Sequence, residues 1–261
     1  EMSASLVGSE MCIRDRYISD ISVRVYRRIW GESMSANAYE LLKSEIVSGK
    51  RKPGEIFEEK RFAAQLGVSR TPVREAVLRL AREGLLVVMP RRGTVISNIS
   101  MENIRQLYEA RVMLEPQILR IAAKRADKNT LASWKAFFEA QAAQADAEVT
   151  PLPFPNEDAA QHSHDADAAF HLFLAHSLGN RYILQQMEEL MAQSQRIRSL
   201  SNARRKSRYL ASIQEHIRIV DALLQGDGER AATEVLEHLH NSEDGYRRMM
   251  LEDAPDMIQM Y

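Results

Sequence analysis

The sequence predicts a mainly α protein in two parts: an N-terminal head of about 60 residues with short helices and a two-stranded hairpin, and a C-terminal all-α bundle of about six helices. Three observations predict it. Apolar residues recur at helical spacing through most of the chain after residue 34. A single β-rich run, 85–89, is followed by a turn and a second run at 94–96. The one long interruption after that is 148–156, where TPLPFP places three prolines in an extended loop.

Residues 1–34 lack clean periodicity, and SASLVGSEMCIRDR resembles a translated sequencing-adaptor segment, so this leader is expected to be non-native or disordered, with Met34 a credible native start. Tyr39, Leu42 and Ile46 then define a first helix that stops at Gly49, ahead of the turn formers Pro53 and Gly54. Glu59 to Leu66 forms a second, with Phe62, Ala63 and Leu66 inward. Across the turn at Gly67, Val68 and Ser69 a third helix follows, where Val73, Ala76, Val77 and Leu80 recur at i, i+3, i+4 and i+7. Thr71 is its expected N-cap and Pro72 its first helical residue; Glu83 and Gly84 end it. Residues 85–89 and 94–96, joined through Pro90, Arg91, Arg92 and Gly93, make a wing with a basic tip.

This is the spacing of a winged helix-turn-helix. Arg70, Thr71 and Arg74 gather at the start of the third helix, away from its apolar stripe, as a recognition helix presents side chains to DNA. An arginine on a short amphipathic helix is ordinarily just solvated, and winged helices also dock proteins. Charge separates the readings. Residues 35–98 carry 12 Lys+Arg against 7 Asp+Glu, whereas 99–261 carry 18 against 24, so the net charge of −1 hides a basic head on an acidic body. The single cysteine, Cys12, excludes a disulfide within the chain and fits a reducing cytoplasm, and no apolar run is long enough for a membrane span.

The body, 99–254, is expected to hold helices at 101–126, 128–147, 158–178, 181–200, 205–225 and 228–250, leaving a tail at 255–261. Pro116 should kink the first or divide it in two. Among the seven histidines, geometry selects three. Asp167 and His171 lie one turn apart on one helix face. His216 and His238 are equidistant from Asp227 in the turn Gly226, Asp227, Gly228, so an antiparallel hairpin brings them level about 16 Å from the bend. If the 158–178 helix packs alongside, three imidazoles and a carboxylate converge, a set suited to zinc, nickel, manganese or iron. His176 and His240 point away from their neighbours, by about 140° and 200°. His162 and His164 precede the apolar pattern, although His164 with Asp165 and Asp167 is a rival cluster; core or surface histidines without metal are the plainer alternative.

The segments SGKRKPGEIFEEKRFAAQLGVSRTPVREAVLRLAREGL and PRRGTVI resemble the DNA-binding domain of the GntR family of bacterial transcription regulators. That resemblance implies major-groove contacts by Ser69, Arg70, Thr71 and Arg74, a contact from Lys60 or its neighbour Arg61, and minor-groove approach by Arg92 and Gly93. RVMLEP, DAAFH, LGN, EHIRIVDALLQGD and ATEVLEHL resemble the FCD ligand-binding domain of the FadR-type subgroup, and six helices suggest its VanR-like branch. The second resemblance implies a divalent metal on Asp167, His171, His216 and His238 at the floor of an effector pocket. Arg111 is the candidate partner for a small carboxylate effector, its alternative being a salt bridge to Glu115 four residues on.

The resulting expectation is a cytoplasmic homodimeric regulator, a repressor, acting on a double-stranded DNA operator under control of a small organic acid. A metal-responsive regulator without an organic effector is one alternative. A metal-dependent enzyme is another, but no motif such as HExxH supplies a base beside the histidines.

Overall fold

The computed structural model describes residues 34–91, 93–147, 157–200 and 206–253, with side chains described except at 34–37, 144–147, 157–165, 200, 206–207 and 252–253. The leader, Arg92, the proline loop, the tail and the side chains of His162, His164 and Asp165 lie outside these described parts.

The head comprises α1 (Met34–Val47), β1 (Ile56–Phe57), α2 (Glu59–Leu66), α3 (Arg70–Arg82), β2 (Leu86–Met89) and β3 (Gly93–Ile96). Its core is Leu42 and Ile46 of α1, Phe62 of α2, Val73, Val77 and Leu80 of α3 and Ile96 of β3. The apolar stripe read from α3 is thus the buried one, and each Val or Leu so placed contributes about 1.5–3 kcal/mol. Gly67, at φ 66°, closes α2 in the left-handed conformation that lets the chain turn sharply into α3.

Two details differ from expectation. The sheet has three strands in the order β1-β3-β2, all antiparallel, with Ile56 opposite Val95 and Met89 opposite Gly93. A two-residue strand is too short to show alternation in sequence, and it is recruited by the wing through Gly54 N–H to Ile96 O (2.9 Å) and Ile96 N–H to Glu55 O (2.9 Å). Helix α3 starts at Arg70, not after Thr71: Ser69 takes the extended N-cap conformation without a side-chain cap bond. Pro72 then falls in the first turn, where its missing N–H costs no helical bond.

The body comprises α4 (Met101–Arg125), α5 (Lys128–Ala147), α6 (Glu157–His176), α7 (Arg181–Leu200), α8 (Lys206–Leu224) and α9 (Gly228–Asp253). Ser100 opens α4 with a reciprocal capping box to Asn103. Helix α4 runs unbroken through the buried Pro116 instead of dividing there; its extensive packing against α9 compensates for the lost helical bond. The α8–α9 turn is as read, with Gly226 at φ 74° and Asp227 Oδ1 accepting from Arg230 N–H (2.9 Å). At Gly228 a Cβ would meet the Arg120 backbone at 3.0 Å, so only glycine lets α9 begin this close to α4.

Helix α7 joins the two parts. Gln193 donates to Glu83 O (2.8 Å) at the end of α3, and the buried Arg196 donates to Ser97 Oγ (2.7 Å) and to Ser97 O. Ser97 Oγ in turn donates to Gly84 O (2.7 Å), tying the linker to the head.

Candidate metal centre and nucleic-acid interface

The hairpin symmetry about Asp227 brings His216 of α8 and His238 of α9 to a ring separation of 4.5 Å. Helix α6 adds Asp167 and His171 one turn apart. His216 Nε2 lies 3.4 Å from His171 Nε2 and 3.3 Å from Asp167 Oδ1. One donor atom from each of Asp167, His171, His216 and His238 falls within 4.8 Å of all the others, and all four residues are buried. His176 and His240 are exposed.

Groups that spacing did not single out hold this quartet in place. Glu215 Oε2 lies 2.8 Å from His238 Nδ1, and Glu115 Oε2 lies 2.7 Å from His171 Nδ1. A carboxylate behind each ring fixes its orientation and leaves Nε2 facing the quartet. Glu215 is itself gripped by both Arg208 nitrogens at 2.7 Å and by Asn241 (2.9 Å). Arg198 of α7 pairs with Asp167 Oδ2 and donates to Tyr246 Oη (3.0 Å). On the other side Phe138 stacks on His216, with planes 9° apart and centroids at 4.8 Å. The signals for the two glutamates were local: Glu215 precedes His216, and Glu115 lies in RVMLEP.

Arg111 is fully buried, donating from Nε to Glu115 Oε1 (2.5 Å) and from Nη1 to Ser194 Oγ (2.9 Å). The salt bridge to Glu115 is therefore present, and it joins Arg111 to His171 through one carboxylate. Nη2 keeps no hydrogen-bond partner among the described residues.

The electrostatics favour a metal-ready state. Burial alone would raise the Asp167 carboxyl, but the Arg198 guanidinium holds it well below the usual carboxylate range. Burial likewise opposes ionisation of Glu115 and Glu215, yet Arg111 with His171 pulls the first down, and His238 with Arg208 pulls the second to about 2. Burial pushes His238 down to about 4 and His216 well below its ordinary value. Ionised acids and neutral imidazoles are the forms that bind metal. His238 Nε2, buried and without a hydrogen-bond partner among the described residues, is an orphan that a metal would satisfy. The donor set fits a divalent first-row ion.

On the head, Lys60, Arg61, Ser69, Arg70, Thr71 and Arg74 are all exposed around the start of α3. Arg74 leans on Glu59 of α2 at 3.6 Å, which restrains it across the turn. At the wing tip Arg91 adopts φ 65° and Gly93 φ 94°; Arg92 between them lies outside the described residues.

Comparison with known proteins agrees with this two-part build. Residues 34–96 match the family model for bacterial regulatory proteins of the gntR family, and 106–241 match that of the FCD domain. The Nta operon transcriptional regulator of Aminobacter aminovorans is 31% identical over 198 residues, 76% of this chain and 87% of that protein. The HTH-type transcriptional repressor RspR of Escherichia coli strain K12 is 24% identical over 223 residues, 85% of this chain and 93% of that one. The solved structure of E. coli McbR/YncC superposes with a TM-score of 0.68 at 20% identity, covering 84% of this chain and 99% of that one, which shows a shared fold. Among the described residues no helix is long and apolar enough to cross a membrane. The chain belongs to the GntR family, of the kind with an FCD domain, and is a DNA-binding transcription regulator rather than an enzyme.

Proposed function

We propose that this regulator is a repressor that acts in the cytoplasm as a homodimer on a double-stranded DNA operator and is controlled by a small carboxylate bound beside a divalent metal. The carrying observation is the buried quartet of Asp167, His171, His216 and His238, backed by Glu115 and Glu215 and converging within 4.8 Å. These four residues would hold zinc, nickel, manganese or iron, which would supply a Lewis-acidic anchor for the acid's oxygen. Arg111 would meet the carboxylate with its unpartnered Nη2. Six body helices among the described residues support the VanR-like branch, and the name of the relative RspR supports repression.

In the head, Ser69, Arg70, Thr71 and Arg74 read the major groove, Lys60 or Arg61 adds a contact from α2, and Arg92 with Gly93 approaches the minor groove. The exposure of Lys60, Arg61, Ser69, Arg70, Thr71 and Arg74 around one helix end supports this, and a dimer doubles an otherwise short readout. The signal travels along α4, which carries Arg111 and Pro116 and continues the linker, and changes the spacing of the two recognition helices. The contacts of Gln193 and Arg196 provide a second connection through α7.

A thermal-melt screen of mono-, di- and hydroxycarboxylates tests the reading, run on metal-loaded and chelator-stripped protein. A rise with one acid class that vanishes on stripping is expected. A rise with metal alone and with no acid would replace the acid by the metal as the signal.

A further inference from the structure

Head and body also meet along a charged cleft of about 610 Å³, between α1 and α3 on one side and α7 on the other. Lys43, Arg79, Arg82 and Glu83 line its head wall, and Glu188 and Glu189 its body wall. Within the head the charges are paired. Glu83 accepts from Lys43 Nζ (2.9 Å), from Arg79 Nε (3.3 Å) and from Tyr39 Oη (2.7 Å), all donors of its own domain. The wall made by α7 has no such arrangement: neither Glu188 nor Glu189 forms an ion pair or hydrogen bond among the described residues. Glu40 of α1 is the head's own unmatched acid. Its Oε1 is buried without a hydrogen-bond partner among the described residues, and it interacts electrostatically with Glu188 across the joint. Such an atom is costly while the carboxyl stays ionised.

From this juxtaposition of acids on the two walls we propose that the joint between head and body is a proton-sensitive latch: protonated Glu40 and Glu188 let α1 close on α7, and their ionised forms drive the two apart. The groups around them agree. Burial pushes both carboxyls up from their ordinary value of 4.5; Glu83 adds to each, Glu188 to Glu40 and Glu189 to Glu188, while Lys43 and Arg79 pull the other way without cancelling the rise. Opening the joint returns both acids towards water and 4.5. The closed joint therefore holds more protons than the open one between 4.5 and the raised values, so closure is complete at the acid end of that interval and is lost as pH rises through it. Arg79 belongs to α3, the proposed recognition helix, so the latch sets how freely that helix reorients, through groups outside the metal quartet.

Distances between spin labels test this on the full chain with zinc supplied. The labels go on Leu78→Cys of α3 and Met113→Cys of α4, both exposed, in a Cys12→Ser background. Dilution with unlabelled protein keeps each measured pair within one chain. A single closed distance should dominate at about pH 5.5 and a second, broader distribution should grow in by about pH 8, the ratio of closed to open heads falling about tenfold. Glu40→Gln and Glu188→Gln should each weaken that response, and the double variant should stay closed at both pH values. A wild-type distribution unchanged over this range overturns the latch without recourse to any variant. A pH response that survives undiminished in the double variant belongs to other groups, the histidines of the metal quartet among them, and overturns it equally.

Discussion

The head keeps its candidate functional groups outside its core, and the body builds its own out of the core. In the head, Val73, Val77 and Leu80 hold α3 in place while Arg70, Thr71 and Arg74 on the same helix are exposed, so folding and the proposed DNA contact use different side chains. In the body, Arg111, Glu115, Asp167, His171, His216 and His238 are all buried, and under the proposed function the same side chains would serve both folding and ligand binding. An exposed site can be altered at little cost to stability. A buried polar site is stable only while every partner is present.

The sharpest way to break this contrast is to remove one buried partner. Glu115→Ala leaves Arg111 without its carboxylate and His171 without its orienting oxygen, and should destabilise the protein by about 3–5 kcal/mol in denaturant unfolding; a loss under 1 kcal/mol would mean the network is dispensable. Acid is the next test, on metal-stripped protein. His238 is held near 4 and His216 well below its ordinary value, whereas an unfolded histidine titrates near 6.5, so the unfolded state takes up protons first as pH falls. This stability is complete above about pH 6.5 and lost progressively towards pH 4, on the order of a few kcal/mol, with Glu115, Glu215 and Asp167 acting in the same direction at lower pH. A melting temperature flat from pH 7 to 4.5 would count against neutral buried imidazoles.

Mutating the head should give the opposite pattern. Arg74→Ala should weaken operator binding by about 1–3 kcal/mol and relax discrimination among sites if it reads a base, with the melt within about 0.5 kcal/mol of wild type. Equal affinity for operator and scrambled DNA relative to wild type would remove it from the readout. The smallest effect belongs to Lys60→Ala: a phosphate contact lowers the slope of log K against log salt by about 1, and an unchanged slope would pass the role to Arg61.

The same contrast decides what could be read in advance. Helix periodicity reports burial, so α3 and the body helices were legible, and the mirror relation of His216 and His238 about Asp227 needed only helix geometry. Strand β1, two residues long, had no period to show. The pairing of Arg198 with Asp167 depends on how α7 packs against α6, and the hold of Arg196 on Ser97 spans 99 positions; neither leaves a spacing signature.

Helix α7 has one further consequence. Ser194 and Arg198 face Arg111 and Asp167, while Gln193 and Arg196 face the head, about 150° around the helix. A single helix, roughly 10 Å across with its side chains, thus touches both the proposed acid site and the head. Linkage is reciprocal: whatever factor a bound acid applies to operator affinity, a bound operator applies to acid affinity. Under the proposed function, a molecule seated on its promoter and one free in solution would then read the same acid concentration differently, and the dose at which a gene responds would be set in part by the strength of its own operator.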